Sequence, residues 1–311
     1  MNSPIAIVIH GGSGRLYREP MPAEKEEAYK SKLTEAVQAG FIILKKGGPA
    51  LDAVEASIKI LEDSPLFNAG KGAVFSSEEI NELDAAIMDG KTMKAGAVAG
   101  CRTIKNPITA ARAVMENSAH VMLAGAGADA FAAAAGLHLV DPSYFKIEER
   151  WAQIRELKQQ ENRSDKIAAP NKYGTVGAVA LDASGSLAAG TSTGGMLNKK
   201  YGRIGDTPVI GAGTYANHTC AVSCTGHGEF FIRFTAAHDI AALMEYKGLT
   251  LEAAAHEVLI NKVTRAGGVG GIIALDALGN TVTPHSAEGM FWASVDTDGS
   301  CHVNVCNMII D

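Results

Sequence analysis

A threonine follows a glycine at Gly174-Thr175, where the small-residue run Thr175-Val176-Gly177-Ala178-Val179-Ala180-Leu181 begins directly behind a polar stretch. A threonine hydroxyl attacks a carbonyl only when a base takes its proton, and no His or Lys adjoins Thr175 to do so. A chain cut before Thr175 would turn the residue's own α-amine into that base. Thr175 is therefore a candidate nucleophile released by self-cleavage between Gly174 and Thr175. Taken alone, it reads equally well as a buried strand residue. Downstream, Gly190-Thr191-Ser192-Thr193-Gly194 has the Gly-x-Ser-x-Gly spacing of a nucleophile elbow, which makes Ser192 a rival. That motif needs a helix after it, and Asn198-Lys199-Lys200-Tyr201-Gly202 does not read as one.

Elements on both sides would have to position these residues. Residues 5–9 form a continuous apolar run, a buried strand ended by a tight glycine loop at His10-Gly11-Gly12-Ser13-Gly14. Pro22 opens a helix with Leu33, Val37, Phe41 and Leu44 on one face, and Pro49 opens another through Leu61. Residues 66–72 read as a loop, 82–88 and 95–101 as strands, and 108–115 and 128–135 as helices. From 148 to 174 the composition turns polar, with Gln159-Gln160-Glu161-Asn162-Arg163-Ser164-Asp165-Lys166, which predicts a solvated, mobile linker. Order resumes as strands at 175–181 and 187–192 around a turn at 182–185. Helices at 231–245 and 251–262 follow, then strands at 271–276, 290–295 and 302–307. This mixed order with short connections predicts an α+β fold, antiparallel sheets faced by helices.

Bulk properties narrow the function classes. The 311 residues fit one large domain or two modest ones. A net charge of −6 and the lack of a Lys/Arg run argue against a nucleic-acid groove. No apolar run reaches the ~18 residues that a membrane span needs. The first residues lack the basic region of an export signal. Cys101, Cys220, Cys224, Cys301 and Cys306 are odd in number and lie mostly in apolar surroundings, as free thiols of a reducing compartment do. A cytoplasmic protein with a small-molecule substrate, no nucleic acid and no membrane partner is expected. The glycine loops at 10–14 and 125–130 could cradle phosphate, but neither completes a nucleotide-binding motif, so tight turns are the simpler reading. A non-catalytic nucleotide- or ligand-binding protein stays as the rival of a different class.

Together the motifs resemble the plant-type (type III) L-asparaginases, or isoaspartyl peptidases, of the N-terminal-nucleophile hydrolase superfamily. The resemblance rests on His10-Gly11-Gly12-Ser13-Gly14, Pro65-Leu66-Phe67-Asn68-Ala69-Gly70-Lys71-Gly72, Leu83-Asp84-Ala85-Ala86-Ile87-Met88-Asp89-Gly90 and Gly174-Thr175-Val176-Gly177-Ala178-Val179-Ala180. It continues through Thr191-Ser192-Thr193-Gly194-Gly195, Gly202-Arg203-Ile204-Gly205-Asp206 and Thr225-Gly226-His227-Gly228-Glu229, in family order across nearly the whole chain. It implies a four-layer αββα sandwich formed by residues 1–311 as a single domain. It also implies self-cleavage into an α subunit (1–174) and a β subunit (175–311), assembled as two α and two β subunits.

The resemblance also implies roles for particular residues. Thr193 would hydrogen-bond the nucleophile, with Asn68 in support, and the Thr225 hydroxyl and Gly226 N–H would form an oxyanion hole. Arg203 would grip a substrate α-carboxylate, while Asp206 and the Gly228 carbonyl would meet the α-ammonium. Backbone carbonyls of Leu61, Glu62, Ser64, Phe67, Ala69 and Lys71 would hold a structural sodium ion, with no cofactor for catalysis. The physical reasons are plain: Gly174 tolerates a strained backbone, and an α-amine with a reference pKa of ~7.7–8.0 is a usable base near neutrality. Arg203 and Asp206 together match a zwitterionic head, with a surface salt bridge between them as the lesser alternative for the pair alone. A lone Asn68 would more often form a turn, and His227 reads as solvent-facing filler.

The expected activity is hydrolysis of L-asparagine to L-aspartate and ammonia, and of β-aspartyl (isoaspartyl) dipeptides. Glycosylasparaginase is the close alternative, though it is usually exported and disulfide-bonded. His285-Ser286-Ala287-Glu288-Gly289-Met290 departs from the family's usual Phe-Asn-Thr-x-Gly-Met.

Overall fold

The N-terminal apolar run forms β1 (Ala6–Leu16), which continues through the glycines and does not stop at His10. The computed structural model describes residues 4–16, 21–163, 174–306 and 308–309. A bulge between His10 and Gly12 takes the place of the expected glycine loop. Gly12 has φ +112°, which L side chains rarely adopt, and a Cβ on Gly11 would lie 2.6 Å from the Phe67 ring.

Around β1 a nine-stranded sheet assembles. β1 lies between β11 (Gly289–Val295) and β5 (Thr175–Leu181), antiparallel to both. β5 continues the sheet to β6 (Leu187–Thr193), β2 (Leu83–Asp89), β3 (Ala95–Cys101) and the short parallel β4 (Met122–Ala124). β12 (Cys301–Asn304) flanks β11, and β13 (Met308–Ile309) pairs with β1. A second, four-stranded sheet runs β10 (Thr281–Val282), β9 (Gly270–Asp276), β8 (Cys220–Gly226), β7 (Thr214–Ala216).

Side-chain alternation along the strands divides the apolar residues. Val176, Ala178 and Ala180 face a cluster with α1 (Ala23–Lys45), α2 (Ala50–Glu62) and α3 (Pro107–Asn117), through Leu33, Val54, Ile58 and Ile108. Val179 and Leu181 point the other way and meet Ala221, Ile273 and Leu275 of the second sheet. The far side of that sheet packs Val222 and Ile272 against α7 (Ala236–Lys247) and α8 (Leu251–His256). α8 runs on as a π-helical stretch, Glu257–Thr264, and α6 (Gly228–Phe234) precedes α7. Glycines let the layers approach closely: a Cβ on Gly190 of β6 would lie 2.7 Å from Val54 of α2. Among the described residues no helix is long and apolar enough to cross a membrane. All five cysteines are free; Cys301 is exposed, contrary to the expectation of burial, and Cys306 is half-buried.

The expected mobile linker needs correction. α4 (Gly125–Ala134) is followed by α5 (Glu148–Arg163), so 148–163 is helical, while 164–173 lies outside the described residues. The helix is polar overall because only a narrow stripe is inward. Ile154 is buried, and Trp151 and Leu157 pack with it on Val74, Phe75 and Leu197. The Trp151 ring meets Phe75 edge-on at 5.2 Å. On the outer face Lys158 pairs with Glu79 at 2.6 Å.

Candidate active site

Thr175 opens β5 directly opposite Thr193, the last residue of β6. Its hydroxyl donates to Thr193 Oγ1 at 3.1 Å. The Thr193 hydroxyl in turn donates to the Gly174 carbonyl at 3.4 Å and accepts from the Gly195 N–H at 3.0 Å. One hydroxyl thus orients the candidate nucleophile and touches the Gly174 carbonyl that precedes it. Gly12 presses on the same bond, since a Cβ there would stand 2.9 Å from Gly174 Cα. That place for Gly12 was not legible beforehand; its signal was a glycine cluster that pairing converts into a bulge.

Asn68 does more than form a turn. Its amide donates to the Gly195 carbonyl at 2.8 Å, its Oδ1 accepts from Val74 N–H at 3.0 Å, and its backbone carbonyl accepts from Gly194 N–H at 3.0 Å. It fixes the turn behind Thr193 and through it the hydroxyl that faces Thr175. At the end of β8, Thr225 Oγ1 accepts from Ser13 N–H at 3.3 Å, and its carbonyl accepts from Ser13 Oγ at 3.2 Å. With that lone pair engaged, the Thr225 hydroxyl keeps its proton for another acceptor. Gly226 has φ +148°, and a Cβ on it would lie 2.5 Å from Gly270 Cα. One cleft is lined by Gly174, Thr175, Thr193, Arg203, Asp206 and Gly226.

Charge in this cleft is arranged differently from a simple salt bridge. The Arg203 fork goes to Glu229, with Nε–Oε1 and Nη2–Oε2 both 2.9 Å. Asp206 is buried and its Oδ2 has no partner among the described residues. Burial pushes its carboxyl up to about 7, with Arg203 pulling the other way. Gly228 lets these groups converge: a Cβ there would lie 2.7 Å from Arg203 Nη2 and 2.8 Å from Asp206 Oδ1. His227 is not solvent-facing filler; half-buried, it places Nε2 3.4 Å from Glu229 Oε2. Glu229 itself escaped the sequence reading, because nothing local marks a carboxylate as the partner of an arginine 26 residues away.

Behind the nucleophile a buried polar chain crosses between the sheets. His10 Nε2 lies 2.9 Å from Ser223 Oγ, which is 2.7 Å from Thr191 Oγ1, which accepts from Thr214 at 2.7 Å. Burial drops the His10 imidazole to about 3, so it stays neutral. These hydroxyls were also missed; their signal is polar residues at strand positions that alternation turns inward.

The 61–72 loop winds tightly around its own carbonyls. A Cβ on Gly72 would lie 2.9 Å from the Pro65 carbonyl oxygen, and one on Gly70 2.8 Å from Glu62 Cβ. Lys71 turns its ammonium over the Tyr144 ring at 5.3 Å. The Glu62 side chain accepts from Ser192 Oγ at 2.7 Å and Ile108 N–H at 3.0 Å. Ser192 is therefore buried on the helix-facing side of β6, away from Thr175, and the elbow reading fails. Ser192→Ala is expected to leave kcat within about threefold of wild type in a steady-state assay.

Burial also pushes the Glu62 carboxyl up to about 8 from 4.5. The folded protein keeps that proton after the unfolded chain has lost it, so stability falls as pH rises through this window. Glu62→Gln should remove the fall, raising stability by about 2–4 kcal/mol near pH 9 in denaturant titrations and leaving it nearly unchanged near pH 5.

A threonine hydroxyl bonded to a second one that touches the preceding carbonyl, beside an arginine and a buried carboxyl with one unpartnered oxygen, suits a hydrolase of small zwitterionic amides. Residues 3–305 match the asparaginase family, and the chain belongs to that family. It is 50% identical over 293 residues to the isoaspartyl peptidase of Escherichia coli, covering 92% of this chain and 91% of that protein. Isoaspartyl peptidase/L-asparaginases of Xenopus laevis and Rattus norvegicus are each 41% identical to it. They cover 96% and 94% of this chain and 94% and 86% of their own lengths.

Proposed function

We propose that this chain is an N-terminal-threonine amidohydrolase that cuts itself between Gly174 and Thr175 and then hydrolyses L-asparagine and β-aspartyl dipeptides. The observation that carries the reading is the Thr175–Thr193–Gly174 carbonyl arrangement. In the first reaction Thr175 Oγ attacks the Gly174 carbonyl carbon, the C–N bond breaks, and an ester forms while the nitrogen takes a proton. Water then hydrolyses the ester, leaving a Gly174 carboxylate and a free Thr175 amine.

In turnover that amine takes the hydroxyl proton as Oγ attacks the substrate β-carbonyl. The Thr225 hydroxyl and Gly226 N–H stabilise the oxyanion, each donor being worth roughly 3–4 kcal/mol. The proton passes to the leaving ammonia or amino acid, and water releases aspartate from the β-aspartyl ester. Arg203 holds the α-carboxylate once Glu229 yields its fork. Asp206, with its unpartnered oxygen, receives the α-ammonium, and the Gly228 carbonyl assists.

The same reading takes residues 1–311 as one four-layer αββα domain, supported by the three apolar clusters between successive helix and sheet layers. Self-cleavage would give subunits 1–174 and 175–311, assembled two and two. A structural sodium ion would rest on carbonyls of Leu61, Glu62, Ser64, Phe67, Ala69 and Lys71. The glycine-lined crowding of that loop fits a cradle that side chains would fill. The ion would brace the loop that carries Asn68 and take no part in the chemistry. The free cysteines favour a cytoplasmic setting.

Intact mass and N-terminal sequencing should show two fragments, one starting at Thr175, and the cut protein should release aspartate from β-aspartyl-leucine. A chain that never splits yet hydrolyses that dipeptide would sink the terminal-amine mechanism.

A further inference from the structure

We propose that Arg150 of α5 is a positioning residue for the nucleophile, acting through the 61–72 loop; the inference rests on the Thr175 reading above. Arg150 is 2% exposed. Its Nε donates to the Gly72 carbonyl at 3.0 Å, its Nη2 to the Leu66 carbonyl at 3.4 Å, and its Nη1 to Gln153 Oε1 at 3.2 Å. Burying a guanidinium is unfavourable unless its donors are met, and a helix that needed only apolar packing would carry Leu or Met here. The fork instead fixes two points of the loop at once.

From there a continuous run of bonds reaches the nucleophile. The Gly72 carbonyl lies two residues from Val74, whose N–H holds Asn68 Oδ1. Asn68 holds the Gly195 carbonyl, Gly195 N–H holds Thr193 Oγ1, and Thr193 Oγ1 accepts from Thr175. α5 also grips the neighbouring segments. Trp151 and Ile154 pack on Val74, Phe75 and Leu197, and Glu161 Oε1 accepts from Asn198 at 3.0 Å. The helix thus holds both strands of chain that flank the Asn68–Gly195 contact. After cleavage it would belong to one fragment while Thr175 and Thr193 belong to the other, making α5 a clamp across the cut.

The test measures kcat and KM for β-aspartyl-leucine in wild type, R150A and R150K, normalised to the cut fraction from intact mass, with melting curves alongside. R150A should lose kcat about 10–100-fold with KM within about threefold, because Arg203 and Asp206 are untouched. Millimolar guanidinium chloride should restore several-fold of that loss without affecting wild type. R150K should recover little, since an ammonium cannot span two carbonyls as the fork does. Should R150A fail to fold, R150K carries the test, with kcat down about fivefold or more at unchanged KM. Wild-type kcat in the folded variants with only a lower melting temperature, or a loss confined to KM, would overturn the proposal. Wild type that leaves β-aspartyl-leucine intact would instead overturn the threonine-hydrolase reading, and the role of Arg150 would fall with it.

Discussion

Thr175→Ala should stay a single polypeptide of 311 residues and release no aspartate. Removing an activated hydroxyl nucleophile typically lowers kcat by about 10⁶-fold, which places the variant below detection in an ammonia-release assay. Two losses would coincide here, because in the proposed mechanism the same oxygen opens the chain and later attacks the substrate. Thr175→Ser separates them: it keeps a hydroxyl within reach of Thr193 and should still cut, more slowly. Denaturing gels over hours distinguish the three proteins. Restoration of turnover to Thr175→Ala by any added base would contradict the mechanism, since no base can replace the missing oxygen.

Asp206→Asn is the second large effect, and it has opposite signs in activity and stability. As the acceptor for an α-ammonium, the Asp206 carboxylate should account for about 10²–10³-fold in kcat/KM, the usual penalty for truncating one member of a buried charge pair. Its carboxyl titrates at about 7 in the substrate-free protein against 3.8 ordinarily, chiefly through burial. Since kcat/KM reports ionisations of the free enzyme, Asp206 should add its own ionisation near that pH to the one contributed by the Thr175 amine, so the rising limb should be steeper in wild type and fall to the slope of a single proton in Asp206→Asn. For stability, the folded protein holds the proton up to about 7 while the unfolded chain releases it near 3.8. Wild type therefore loses stability as pH rises through that interval, and Asp206→Asn does not. Denaturant titrations near pH 8 should show the variant more stable by up to about 4 kcal/mol. A variant less stable at that pH would mean the carboxylate is not held against its own ionisation.

The partnership of Thr175 with Thr193 was implied by the family resemblance, and the strands and turn legible in the chain agree with it. Two small-residue strands flank the turn at 182–185, and antiparallel counting from it brings 175 opposite 193. Arg203, Asp206, Thr225 and Gly226 were recognisable through the family resemblance of Gly202-Arg203-Ile204-Gly205-Asp206 and Thr225-Gly226-His227-Gly228-Glu229, not from their residue types alone. Destinations set by distant partners were not recognisable. Arg150 lies in a run that looks like solvated linker, and the distant carbonyls of Gly72 and Leu66 help explain its burial. The glycines after His10 suit a loop or a bulged strand equally until β11 pairs across them. Ser192 had the spacing of a nucleophile, but strand alternation turns it toward Glu62.

Strand order bears on the molecule that the proposed cut would leave. β1, from the first fragment, lies between β11 and β5 of the second, and β6 of the second continues to β2 of the first. A break before Thr175 would fall at the head of β5 and remove none of its ladders with β1 or β6. The two polypeptides would share one sheet as interlaced fingers do, with no face along which they could part. Dilution should not separate them, and a fragment released by denaturation would have to rejoin by refolding, not by docking. Cleavage would then be a permanent record of having folded once.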